Sequence, residues 1–103
     1  MGTYTIVIES DNVLRLAFGD TPANNDVLVT EAERIISELI LGGKMKGGEI
    51  IKLNGPSTLP IAFDLAHKLS HLYQAVAVYD PKLSKYVVAI AHGGKYSLGD
   101  LVD

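Results

Sequence analysis

Residues able to move protons or hold charge gather in one stretch of this chain. His67 and His71 precede the segment Ala75-Val76-Ala77-Val78-Tyr79-Asp80-Pro81-Lys82, and His92 follows it. Imidazole exchanges protons near neutral pH, which makes each histidine a candidate acid or base. A carboxylate and an ammonium presented together, as Asp80 and Lys82 are, can orient a ribose hydroxyl or a metal and hold a phosphate. The same triplet also makes an ordinary turn, since aspartate starts one and proline fixes the next φ. His67 and His71 stand one helical turn apart, a spacing that chelates a metal when a third ligand arrives. No glutamate follows the first histidine, so the zinc-protease motif is missing, and a solvated polar face explains the pair equally well. In His92-Gly93-Gly94-Lys95 the glycines allow backbone contact with a ligand, or simply a turn.

A second constellation is the loop Asn54-Gly55-Pro56-Ser57-Thr58-Leu59-Pro60. Gly55 permits close backbone approach, and Ser57 or Thr58 can cap a following helix, whose free amides and dipole attract anions. The lysine and hydroxyl of a Walker loop are absent at the needed spacing. An ordinary strand-to-helix turn would have the same composition.

The elements that must position these groups are legible from periodicity. Tyr4 to Ile8 and Val13 to Phe18 are short β-type runs joined by the turn Glu9-Ser10-Asp11-Asn12. From Asp26 to Leu41, apolar residues recur at helical spacing, with Asn24 or Asn25 as cap and Gly42-Gly43 as terminator. Glu49 to Leu53 is a third strand, and a second helix follows the Asn54 loop to about Tyr73. On that helix Asp64, His67, Lys68 and His71 share an arc opposite Ile61, Leu65, Leu69 and Leu72. The unalternated run Ala75 to Tyr79 predicts a strand buried on both faces. Tyr86 to Ala91 returns antiparallel, and Tyr96 to Asp103 has room for one more short strand.

The expected fold is therefore α/β in the order β-β-α-β-α-β-β, a mixed sheet with one parallel βαβ unit and a right-handed crossover. Parallel third and fourth strands put the Asn54 loop and Asp80 on one edge of the sheet, where open α/β folds bind ligands. His71 and His92 then belong to the opposite edge, roughly 17–20 Å away. Asp80 and His71 should meet on one phosphate only if separate copies face each other.

Composition narrows the class. With 103 residues, 48% of them hydrophobic and 20% charged, the chain suits one soluble globular domain. No apolar run approaches the roughly 20 residues of a membrane span, and Met1 to Tyr4 leads straight into a strand pattern. Cysteine is absent, which excludes disulfides, thiolate catalysis and cysteine-bound clusters. A cytoplasmic location is expected. The net charge of −3 is uneven: residues 44–103 carry seven lysines against five acids. The half that holds the histidines is thus the basic half, which suits an anionic ligand or a lysine-decorated surface alike.

Taken together, Ala66-His67-Lys68, His71, the run Ala75 to Leu83, Val87-Val88, His92 and Gly99-Asp100 resemble the small CRISPR-associated ring-nuclease family of type III systems. That family is a distant relative of the Rossmann-like CARF sensor domains. The likeness is best over residues 54–102. It implies a manganese-dependent phosphodiesterase acting on cyclic tetra-adenylate, the second messenger of type III antiviral defence, or an RNA exonuclease removing 3′ adenylates. It also implies homodimers, with facing dimers completing the active site around the ligand. By position, His71, Asp80, Lys82 and His92 are the implied active residues, and Asn54, Gly55, Pro56, Ser57 and Thr58 the ligand surface. Lys82 stands where some members have arginine, and His67 is the reserve for His71. A non-catalytic binding or regulatory module, as in relatives fused to a kinase-like ATPase domain, is the alternative.

Overall fold

A computed structural model describes residues 2–103, and Met1 lies outside them. Six strands among the described residues form one sheet in the order β1-β2-β3-β4-β5-β6, so neighbours in sequence are neighbours in space. β1 (Tyr4–Ser10) and β2 (Val13–Phe18) make the first hairpin, antiparallel, with Ile6 opposite Leu16. α1 (Asn25–Leu41) carries the chain back, and β3 (Gly48–Asn54) lies parallel to β2. α2 (Leu59–Ser70) then leads into β4 (Tyr73–Asp80), parallel to β3 with Ile51 opposite Val76. β5 (Lys85–Ala91) returns antiparallel, and β6 (Leu101–Val102) adds the short final edge. The mixed α/β sheet expected from the sequence is the one observed.

Both helices lie on one face. Leu28, Ala32 and Ile36 of α1 and Ile61, Leu65 and Leu69 of α2 join Tyr4, Ile6, Leu14, Leu16, Ile51 and Leu53 in one core. A smaller cluster on the other face holds Ile50, Ala75, Ala77 and Val88, with Tyr96 and Val102 packed on it. Period-two alternation thus splits each central strand between two clusters.

Two boundaries differ from the periodicity. α2 stops at Ser70 rather than near Tyr73, because tertiary pairing claims the later residues. His71 is its C-cap, and the Leu72 carbonyl accepts from Gly48 (3.3 Å). Tyr73 pairs with Gly48 in the sheet and is buried. Burial on both faces holds for Ala75, Val76 and Ala77 but fails at Val78, which is 43% exposed. A groove of about 540 Å³ opens over that end of β4, between Ala62, Phe63 and Ala66 of α2 and the sheet.

Candidate functional site

The Asn54 loop is held from three sides. Gly55 has φ +126°, and a Cβ there would lie 1.9 Å from the Leu16 carbonyl oxygen, so β2 and the loop approach as only glycine permits. The buried Tyr4 hydroxyl donates to the Pro56 carbonyl at 2.6 Å, and burial raises its pKa against a smaller lowering by Ser57. Thr58 occupies the N-cap position of α2, yet its hydroxyl donates to Asn25 Oδ1 (2.7 Å) instead of accepting from the helix. The expected side-chain cap is therefore not made. Pro60 in the first turn also lacks an N–H, so the anion-attracting end of α2 offers fewer free amides than an ordinary helix start.

Asp80 ends β4 at the same sheet edge. Its Oδ1 accepts from the backbone of Lys82 (2.9 Å) and Leu83 (3.4 Å), and the Leu83 amide also donates to its carbonyl (3.2 Å). The turn that closes the β4–β5 hairpin is thus built by Asp80 itself, helped by Ser84 at φ 54°. Turn and site readings are compatible here, because both side-chain hydrogen bonds of the turn go to Oδ1 and neither uses Oδ2. Lys82 is exposed and forms no ion pair among the described residues. By contrast Lys68 pairs with Glu33, Lys85 with Asp103 and Lys95 with Glu49.

The histidines occupy the other edge. His71 caps the C-terminus of α2, and its ring meets that of His67 edge to face at 4.8 Å. The His92 amide donates to the Gln74 carbonyl at the start of β4 (2.8 Å). From Gln74 to Asp80 the strand spans about 20 Å. One copy brings Asn54, Gly55, Pro56, Ser57, Thr58, Asp80 and Lys82 to one edge, and His67, His71 and His92 to the opposite one.

The polar arc expected on α2 is divided. Lys68 donates to Glu33 of α1 (2.7 Å), and Asp64 lies partly buried in that helix joint with Oδ2 unpartnered. Burial, then Glu33, raises the Asp64 pKa, while the Lys68 hydrogen bond lowers that of Glu33. Only the two histidines of the arc are left exposed. Among the described residues no three His, Asp or Glu side chains converge as a metal cage.

Fold and site together define a small α/β protein with carboxylate, ammonium and loop amides at one sheet edge and imidazoles at the other. A family model described as CRISPR-associated protein (Cas_csx3) matches residues 34–103, and the chain belongs to that family. The match starts within α1 and takes in the candidate residues from Asn54 to His92, but not Tyr4, Leu16, Asn25 or Glu33. Neither the curated proteins nor the solved structures yielded a match. Arg15, Lys52, Tyr79 and Tyr86 were not singled out by the sequence; strand alternation, which turns them to the helix-free face, was the signal available.

Proposed function

We propose that this protein is a ring nuclease, a phosphodiesterase that opens cyclic tetra-adenylate in type III CRISPR defence, with its active site shared between facing copies. The observation that carries the reading is the split of candidate groups between opposite sheet edges. A phosphate at Asp80 and Lys82 of one copy leaves the proton-transfer position vacant, and His71 of a facing copy fills it. The assembly is a homodimer whose dimers stack on the ligand.

The chemistry needs no protein nucleophile. His71 takes the proton of a ribose 2′-hydroxyl, the 2′-oxygen bonds to the adjacent phosphorus, and the phosphorus–O5′ bond breaks. The leaving O5′ takes a proton from the second imidazole, His92, giving a 2′,3′-cyclic phosphate and a 5′-hydroxyl. Asp80 holds the ribose in line, Lys82 offsets phosphate charge, and the Asn54–Thr58 loop seats the ligand. Manganese is the cofactor the family implies. Among the described residues no three donors converge as a metal cage, so the Asp80 carboxylate is the group of this chain that would hold the ion beside the phosphate. Bound there, it would neutralise charge on the phosphate.

Incubation of the protein with cyclic tetra-adenylate and manganese, resolved by chromatography, tests the reading. Linear adenylates ending in cyclic phosphate are expected. Intact ligand after long incubation with stoichiometric protein would overturn catalysis and leave a binding module, while faster loss of 3′ adenylates from linear RNA would favour an exonuclease.

A further inference from the structure

The sheet face turned away from the helices is covered at one end by Tyr96 and left open toward the Asp80 edge. Strand register builds a single row across this open end. Arg15 lies opposite Asn54, Asn54 follows Leu53, whose partner is Val78, and Tyr79 lies opposite Tyr86. Arg15, Asn54, Tyr79 and Tyr86 therefore stand side by side on β2, β3, β4 and β5. Lys52 sits two residues back on the same face, its ammonium 5.7 Å from the centre of the Tyr86 ring. The two tyrosine rings meet edge to face at 5.1 Å. Both are half-buried, which fixes their orientation and leaves part of each ring in water.

Charge and shape on this face select an occupant. On β3, β4 and β5 alternation presents Lys52 here and no carboxylate. The acids nearby share these cations: Glu9 pairs with Arg15 at 3.3 Å, and Asp103 pairs with Lys85. The Lys52 ammonium donates to the Asp103 carbonyl at 2.6 Å, and a phosphate would have to exchange these exposed contacts. The neighbours of the tyrosines on the face, Ala77 and Val88, are buried in the cluster on which Tyr86, Tyr96 and Val102 pack, so the tyrosine pair rests on a packed base. Two tyrosine rings set edge to face, with cations and one carboxamide beside them, match a nucleotide: a base stacks on one ring, an amide meets the base edge, and cations meet phosphate.

We propose that this open sheet face is a stacking platform for unpaired adenine bases of an adenylate oligonucleotide. Tyr79 takes a base, because one face of Tyr86 already carries the Lys52 ammonium. Asn54 meets the base edge, and Arg15 and Lys52 face the backbone phosphates. The platform adjoins Asp80 along β4, so a base seated on Tyr79 brings its own phosphate to the Asp80–Lys82 turn. The inference takes its ligand class from the proposed nuclease but does not depend on cleavage.

The chain has five tyrosines and no tryptophan, so tyrosine fluorescence reports directly on the rings. Linear tetra-adenylate and an abasic sugar–phosphate of equal length are titrated into wild type, Tyr79→Leu and Tyr79→Phe, with folding checked by circular dichroism. Wild type and Tyr79→Phe should bind tetra-adenylate about tenfold more tightly than the abasic chain, and Tyr79→Leu should lose that difference. Equal affinity for the two ligands in wild type, or unchanged tetra-adenylate affinity in folded Tyr79→Leu, overturns the platform. Amide shifts in labelled wild-type protein supply a readout without mutation: tetra-adenylate should move Arg15, Asn54, Tyr79 and Tyr86, and shifts confined to the helix side overturn it. Self-association abolished by Tyr79→Leu with ligand binding intact also overturns it, assigning the face to a second copy. Base-dependent binding with cyclic tetra-adenylate left uncut would sustain the platform and end the nuclease reading.

Discussion

At the scale of single residues, the turn role of Asp80 rests on Oδ1 and the proposed catalytic role needs the second oxygen, so substitution can separate them. Asparagine keeps an acceptor for the Lys82 and Leu83 amides, so the turn survives. Asp80→Asn is expected to stay within about 0.5 kcal/mol of wild type in stability, while ring opening falls roughly 100-fold. Urea unfolding and single-turnover cleavage check the two halves, and a stability loss matching the activity loss would reduce Asp80 to a turn residue. Asp80 and Lys82 were legible because a strand pattern stops abruptly on them. Tyr79 was not. The run Ala75 to Tyr79 shows no polar alternation, which reads as burial on both faces, yet Val78 is 43% exposed and Tyr79 only half-buried. Tyrosine serves equally as core and as exposed ring, so residue type alone leaves its side undecided.

Among elements, the joints decide more than the elements themselves. The Asn54 loop is fixed by β2 and by residues distant in sequence, Tyr4 and Asn25, which no local pattern reveals. Gly55→Ala should cost roughly 3 kcal/mol or more, since the new methyl meets the Leu16 carbonyl at 1.9 Å in a conformation foreign to side chains. The midpoint of urea unfolding measures it. The α1–α2 joint makes a pH prediction. Burial holds the folded-state pKa of Asp64 above its ordinary value, so the fold binds that proton more tightly than the unfolded chain does. Asp64 therefore works against stability as the pH rises through that interval. Glu33 has the opposite sign: its lowered pKa contributes stability that is lost as pH falls. Asp64→Asn should stabilise the protein at pH 7 by about 0.5–1 kcal/mol, and the gain should vanish below about pH 4. Thermal unfolding of both proteins across that range checks it. A gain that persists in acid would mean that packing, not charge, distinguishes the two side chains.

For the whole molecule, topology was readable because a βαβ unit fixes the direction of its strands. Parallel β3 and β4 place the Asn54 loop and Asp80 together, and the return through α2 and β5 sends His71 and His92 the other way. The separation of about 20 Å is a property of strand length, and rotamer changes do not bridge it. It was available from Val76 to Asp80 and the helix before them without coordinates. The exposed apolar patch beside the α2 groove was not, since residues such as Phe63, 73% exposed there, look like core in sequence. If function requires both edges, each site must draw on two copies, and defects at opposite edges must complement. His71→Ala and Asp80→Ala proteins, each inactive alone on cyclic tetra-adenylate, should regain activity when mixed and allowed to exchange subunits. Where facing edges belong to random partners, an equimolar mixture supplies one intact His71–Asp80 pairing in about four, so recovery near a quarter of wild-type activity is expected. His71→Ala mixed with His92→Ala should recover less if both imidazoles act from one edge of the same copy. Mass spectrometry of the mixture establishes that hybrids form; hybrids without activity would mean that both edges must be intact in a single chain.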